Sequence, residues 1–122
     1  MSDIDAELAD EAFCYLTTTG RVSGLPREIE IWFRLHDGTL YMLSGGGERS
    51  DWVKNIRHGP QVTVRIGDVT FDGHARFVED EGEMELARQM LFDKYQPTYR
   101  SDLRSWRRRS LPVAVDLGTR RA

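Results

Sequence analysis

A single cysteine, Cys14, stands among the 122 residues. No intrachain disulfide and no multi-cysteine metal site can be built from one thiol, so a reducing cytoplasm is the expected setting. Histidines are scarce too, and His36, His58 and His74 are not spaced from one another as a helical metal pair. No HExxH, CxxC or GxSxG run occurs, which removes the usual signatures of a metallohydrolase, a dithiol redox protein and a serine hydrolase. The expectation is that no metal is bound and no side chain forms a covalent intermediate. No apolar run approaches the roughly 20 residues that a bilayer span needs, and stable membrane insertion is not expected. The first 13 residues, MSDIDAELADEAF, hold five acids and no base, the reverse of the positive start of a signal peptide.

Hydrophobic residues make up 39% and charged residues 30%, with three tryptophans, four tyrosines and five phenylalanines, a composition that suits one globular domain over residues 1–122. The net charge of −3 is uneven, because residues 99–122 hold seven arginines against two acids while the N-terminus is acidic. A pI near 5.6 argues against general nucleic-acid binding. Arg104, Arg107, Arg108, Arg109, Arg120 and Arg121 read first as a solvated face pairing with acidic neighbours.

Ile4, Leu8 and Ala12 recur at i, i+4, so the periodicity predicts a short N-terminal helix over 1–12. Period-two alternation and β-branched content predict strands at 13–19, 27–35, 39–44, 61–66, 69–78 and 111–117, with 118–122 as a tail. His36-Asp37-Gly38 and Gly67-Asp68 read as hairpin turns, and Gly73 as a bulge. Ser50 is a candidate N-cap for a helix over 51–58 stopped by Gly59-Pro60. Asp80 and Glu83 resemble a capping box opening a helix through Tyr95, and a further short helix is expected near 100–109. Six short antiparallel strands with flanking helices make a mainly β (α+β) barrel or sandwich.

The chemistry-bearing segment is Ser44 to Asn55. A strand ends in Ser44, Gly45, Gly46 and Gly47 follow, then Arg49 and a helix N-terminus, which together offer backbone N–H groups to an anion. The order is neither GxxxxGK[ST] nor GxGxxG, so neither an NTP loop nor a dinucleotide fold is indicated. Arg21 and Arg27 in the preceding turn could join in holding a phosphate or carboxylate. Trp32 sits on the polar face of its strand, between Glu30 and Arg34, and calls for a cover: a helix, a partner chain or a flat ligand. A pocket wall there would make Trp32 matter more for turnover than for stability. Tyr95, Tyr99 and Trp106 cluster near the C-terminal helices, either as packing or as a substrate wall.

The runs YLTTTGRVSGLPREIEIWF, GTLYMLSGGGERSDWVKNIRHGPQVTVRIG and SWRRRSLPVAV, over about residues 14–117, resemble the deazaflavin-dependent nitroreductase family of flavin/deazaflavin oxidoreductases. The resemblance implies a six-stranded split β-barrel of the pyridoxamine-phosphate-oxidase-like, FMN-binding type. It implies the deazaflavin coenzyme F-420 as cofactor, with FMN as the alternative. Carried onto this sequence, it puts Arg21, Ser23, Arg27, Trp32, the Ser44, Gly45, Gly46 and Gly47 loop, Arg49, Trp52 and Asn55 around that cofactor. Val22 stands where relatives often carry a second base, and Ile29-Glu30 where Asn-Pro is common. The implied reaction is hydride transfer from the reduced deazaflavin to an electron-poor small molecule such as an activated alkene, quinone or nitro compound. Ser44, Tyr95 and Tyr99 are the candidate catalytic proton donors or orienting groups. A non-catalytic ligand-binding barrel and an FMN-dependent reductase are the alternative functions. A homodimer is compatible with the charge asymmetry of the two ends.

Overall fold

The computed structural model describes residues 7–121. Seven strands form one antiparallel sheet: β1 (Cys14–Thr19), β2 (Pro26–Ile31), β3 (Arg34–His36), β4 (Thr39–Ser44), β5 (Gln61–Ile66), β6 (Val69–Phe77) and β7 (Leu111–Arg120). Helix α1 (Asp51–His58) follows β4, α2 (Glu81–Tyr95) follows β6, and α3 (Arg104–Arg109) precedes β7. The order across the sheet is β2-β1-β5-β6-β7-β4-β3. β2 and β3 therefore lie at opposite ends of the order although two residues separate them in the chain. Only a sheet curled into a half-barrel can bring its ends that close.

The expected strand over 27–35 is thus two strands, and the count is seven rather than six. The alternation does run on unbroken, since Ile29, Ile31, Phe33 and Leu35 all reach one core with Leu16 and Val64. What changes at Trp32-Phe33 is the pairing partner, from β1 to β4. The backbone of Phe33 is satisfied by side chains instead of a strand: its N–H donates to the Tyr95 hydroxyl at 2.9 Å, and its carbonyl accepts from Lys94 Nζ at 3.0 Å.

Other expectations can be checked locally. Asp37 (φ 50°) and Gly38 (φ 80°) are both left-handed, as a two-residue hairpin turn requires. A register shift lies between Phe71 and Gly73, and a Cβ at Gly73 would collide with Val115 Cγ1. The run Pro112 to Val115 is buried on both faces, and β7 continues to Arg120 where a tail from 118 was expected. Ser50 occupies the N-cap position of α1 but makes no capping bond, since its Oγ meets Ser44 Oγ at 2.8 Å. Asp80 does cap α2 by accepting from the Glu83 N–H at 2.8 Å. The Glu83 carboxylate points elsewhere, taking two bonds from Arg76 at 2.7 and 2.8 Å and one from the Tyr41 hydroxyl at 2.6 Å. Of the expected N-terminal helix over 1–12, Glu7 to Ala9 are helical and residues 10–12 are not, and Ile4 lies outside the described residues.

The curled sheet buries both surfaces. Leu40 and Met42 of β4 point into the barrel, whereas Tyr41 and Leu43 face the second cluster under α2 and α3 with Ala87, Leu91 and Tyr95. Among the described residues no helix is long and apolar enough to cross a membrane.

Candidate functional site

The turn between β1 and β2 is folded tightly on itself. Gly20 N–H donates to Leu25 O and Gly24 N–H to Gly20 O, each at 2.8 Å, and Gly24 adopts φ +72°. A Cβ at Gly20 would lie 2.6 Å from Ser23 Oγ, so glycine is what lets the Ser23 hydroxyl sit there. That hydroxyl accepts from the Leu25 N–H at 3.1 Å and from Arg27 Nη2 at 3.2 Å. Ser23 accordingly orients Arg27, and Arg27 has no carboxylate partner among the described residues.

Arg21 is organised from across the barrel. Its backbone N–H and its Nη1 both donate to Asn55 Oδ1, at 3.2 and 2.8 Å, and Nη2 reaches Asp51 Oδ1 at 3.2 Å. Asn55 Nδ2 in turn donates to Thr18 Oγ1 at 3.1 Å. Asn55 is 4% exposed, so its amide ties β1, the turn and α1 together rather than meeting solvent. Asp51 and Asn55 stand at i, i+4 on α1, which is why both can reach one guanidinium. The importance of Asp51 as that partner was not legible in sequence, because the 30-residue separation gives no local signal.

Two depressions lie against β2. The first, about 460 Å³, is lined by Arg21, Ser23, Arg27, Ile29, Trp52 and Asn55 among others. The second, about 340 Å³, is lined by Phe13, Glu30, Ile31, Trp32, Leu43 and Trp106. Ile29 lines the first and Ile31 the second, and these are successive inward residues of one edge strand, about 7 Å apart, so the two hollows succeed each other along β2 without sharing a lining residue. Both volumes fall in the range of small-molecule sites. The first hollow is basic and the second aromatic.

The glycine loop is folded differently from the expected open cradle. Ser44 is 1% exposed, and its Oγ donates to Gly47 O at 2.9 Å besides meeting Ser50 Oγ. A Cβ on Gly46 would come within 2.6 Å of Ser50 Oγ, and Gly47 has φ +61°. The loop therefore closes on its own serines, and neither it nor Arg49 lines the Arg21 hollow. Gly45 instead lies against the indole of Trp106, 3.6 Å from where its Cβ would be. This places the loop against a side chain that lines the aromatic hollow.

Trp32 is half-buried and packed on several sides. It stacks on Tyr95 with centroids 4.3 Å apart and 5° between planes, and meets Tyr99 and Trp106 edge-on at 5.3 and 5.4 Å. The cover it requires is therefore mostly a helix, leaving part of the indole on the aromatic hollow. The single proton of the Tyr95 hydroxyl is shared between Ala12 O at 2.8 Å and Phe33 O at 3.1 Å, and the oxygen accepts from Phe33 N–H. Burial pushes its pKa up to about 12. The expected proton donor Tyr95 is therefore 7% exposed with its one proton directed at backbone carbonyls rather than at either hollow. Ser44 is held inside its loop in the same way. Of the three candidate donors, Tyr99 alone is exposed, at 47%. Cys14 is fully buried and its thiol is pushed up to about 12 by burial, which makes it a small core residue.

A family model described as F420H(2)-dependent quinone reductase matches residues 3–118. Among solved structures, the chain is similar to one of an F420-H2 dependent reductase, FDR-A, at 25% identity and TM-score 0.70, covering 88% of this chain and 94% of that one. It is likewise similar to a structure described as a domain-swapped dimer, at 26% identity and TM-score 0.69, covering 88% and 80%. A Listeria innocua protein assigned as a pyridoxamine 5'-phosphate oxidase shares the fold at 22% identity and TM-score 0.70, covering 97% and 93%.

Proposed function

The chain belongs to the F420H(2)-dependent quinone reductase family, and we propose that the hollows along β2 hold the cofactor and its acceptor, with the cofactor's acidic tail at Arg21 and Arg27 and the acceptor beside Trp32. Membership makes the protein a deazaflavin-dependent oxidoreductase on a split-barrel fold. The two hollows fit such a cofactor and its acceptor in two ways. Arg27 is a guanidinium oriented by Ser23 with no carboxylate partner among the described residues, and Arg21 retains 32% side-chain exposure despite its bonds to Asn55 and Asp51. Trp52 supplies a flat apolar wall in the basic hollow, and Trp32 and Trp106 do so in the aromatic one.

When bound, the reduced deazaflavin supplies the hydride, so the protein needs no nucleophile of its own. The residues have the remaining tasks. Arg21 and Arg27 bind the anionic part, Asn55 holds Arg21 in place, and the tryptophans exclude water and align a planar acceptor. Tyr99, exposed and edge-on to Trp32 though lining neither hollow, is the candidate that orients the acceptor or gives it a proton in this reading. An electron-poor quinone, nitro compound or activated alkene suits this end. The observation that carries the reading is the basic hollow, where Arg21 and Arg27 meet the ring of Trp52 beside the edge strand whose far end reaches the aromatic hollow.

A homodimer agrees with the domain-swapped relative and with β2 being an unpaired sheet edge. A reducing cytoplasm suits the free buried thiol of Cys14. The test is direct: purified protein is titrated with F420 and, separately, FMN, and then assayed with reduced F420 and a neutral quinone. Saturable quenching of deazaflavin fluorescence with turnover supports the reading, and tighter binding of FMN would replace it with the flavin alternative.

A further inference from the structure

The two hollows differ in charge as well as in shape. Among the described residues Glu30 is the only charged one lining the aromatic hollow, and the remaining lining is Phe13, Ile31, Trp32, Leu43 and Trp106. Glu30 is fixed there by its strand partner: Tyr15 lies directly opposite across the β1–β2 ladder and donates its hydroxyl to Glu30 Oε2 at 2.9 Å. Tyr15 is itself covered by the Arg65 guanidinium, 4.2 Å above its ring. The other carboxylate oxygen, Oε1, has no hydrogen-bond partner among the described residues. A carboxylate on an aromatic lining presents negative charge beside ring faces whose quadrupoles have the same sign. A cation gains from both, and an anion meets both as repulsion.

We propose that Glu30 sets the charge selectivity of the acceptor end, favouring cationic and neutral electron-poor rings over anionic ones. This rests on the reductase reading for the location of the acceptor. It adds the substrate class that the site admits: planar acceptors bearing no acidic group near the reacting ring. Because the carboxylate is exposed, the discrimination it supplies is about fivefold. Glu28, two residues earlier on the same strand, is exposed and lines neither hollow, which makes it a control for net charge.

The experiment uses three naphthoquinones, one uncharged, one carrying a sulfonate and one carrying a trimethylammonium group. Each is titrated against the tryptophan fluorescence of the cofactor-free wild type, Glu30→Gln and Glu28→Gln, and kcat/KM with reduced F420 is measured alongside. In Glu30→Gln the preference for the cationic over the anionic quinone should fall about fivefold in both Kd and kcat/KM. F420 affinity and the uncharged quinone should change less than about twofold, and Glu28→Gln should retain the wild-type preference. An unchanged preference in Glu30→Gln, or an equal loss in Glu28→Gln, overturns the proposal. Wild type that binds the quinones with this charge preference but neither binds F420 nor turns over would overturn the reductase reading and leave the role of Glu30 standing.

Discussion

Arg21 and Tyr95 each make several hydrogen bonds to residues far away in sequence, yet the two side chains end in opposite conditions. Arg21 bonds to Asn55 and Asp51 on α1 and keeps 32% of its side chain in solvent. Tyr95 is 7% exposed and bonds only to backbone, at Ala12 and Phe33. The first arrangement leaves a positive charge available to a ligand. The second pins the bend where the chain passes from one end of the sheet to the other. Residue type alone would have ranked the tyrosine as the better catalytic candidate, and its bonding partners reverse that ranking.

The contrast can be broken most strongly at Trp32. Its packing against three aromatic rings makes Trp32→Ala a stability variant, costing about 3 kcal/mol and on the order of 10 °C in melting temperature. The sequence expectation of a small stability effect came from its polar strand neighbours, which do not reveal the helix that covers it. Thermal unfolding followed by circular dichroism checks this. A shift of only a few degrees with lost turnover would restore Trp32 as a simple pocket wall.

Tyr95→Phe sharpens the same point. Removing the hydroxyl leaves the buried Phe33 N–H unpaired and should cost about 1–3 kcal/mol, while turnover of the folded protein stays within about twofold. Tyr99→Phe should do the converse, lowering turnover with little change in melting temperature. Equal losses of turnover in both would return Tyr95 to the catalytic list.

A smaller effect is expected from acid. The two bonds from Arg76, with the Tyr41 hydroxyl, hold Glu83 down to about 2. Because its folded pKa is depressed, the stability it contributes is present above the ordinary carboxylate range and lost as pH falls from about 4.5 toward 2. Glu83→Gln should flatten the melting-temperature profile in that window. A profile parallel to wild type would show that the Arg76 cluster is not what clamps α2 to the sheet.

How far the sequence revealed this molecule depended on the range of each interaction. Period two in Ile29, Ile31, Phe33 and Leu35 showed which side chains face the core, and Asp37-Gly38 announced its hairpin, since both signals are local. The change of strand partner at Trp32-Phe33 was hidden, because alternation continues through it and pairing is a long-range property. In the site, the bases of the β1–β2 turn marked Arg21 and Arg27, the family resemblance added Ser23, Trp52 and Asn55, and the structure gathers all five around one hollow. Glycine repetition pointed less well: Ser44 to Gly47 close on Ser50 and stay out of the basic hollow. The Arg21–Asp51 pair and the placement of Glu30 and Trp106 arise only once the sheet has curled.

The most direct measurement is the affinity of F420 for wild type and Arg27→Ala at low and high salt, read from deazaflavin fluorescence. Arg27 is exposed and bonded only to Ser23, so its removal should leave folding intact and weaken binding about five- to tenfold at low salt. Screening should shrink that difference at high salt. Equal affinities of the two proteins at both salt concentrations would contradict the assignment of the Arg21–Arg27 hollow to the cofactor's acidic tail.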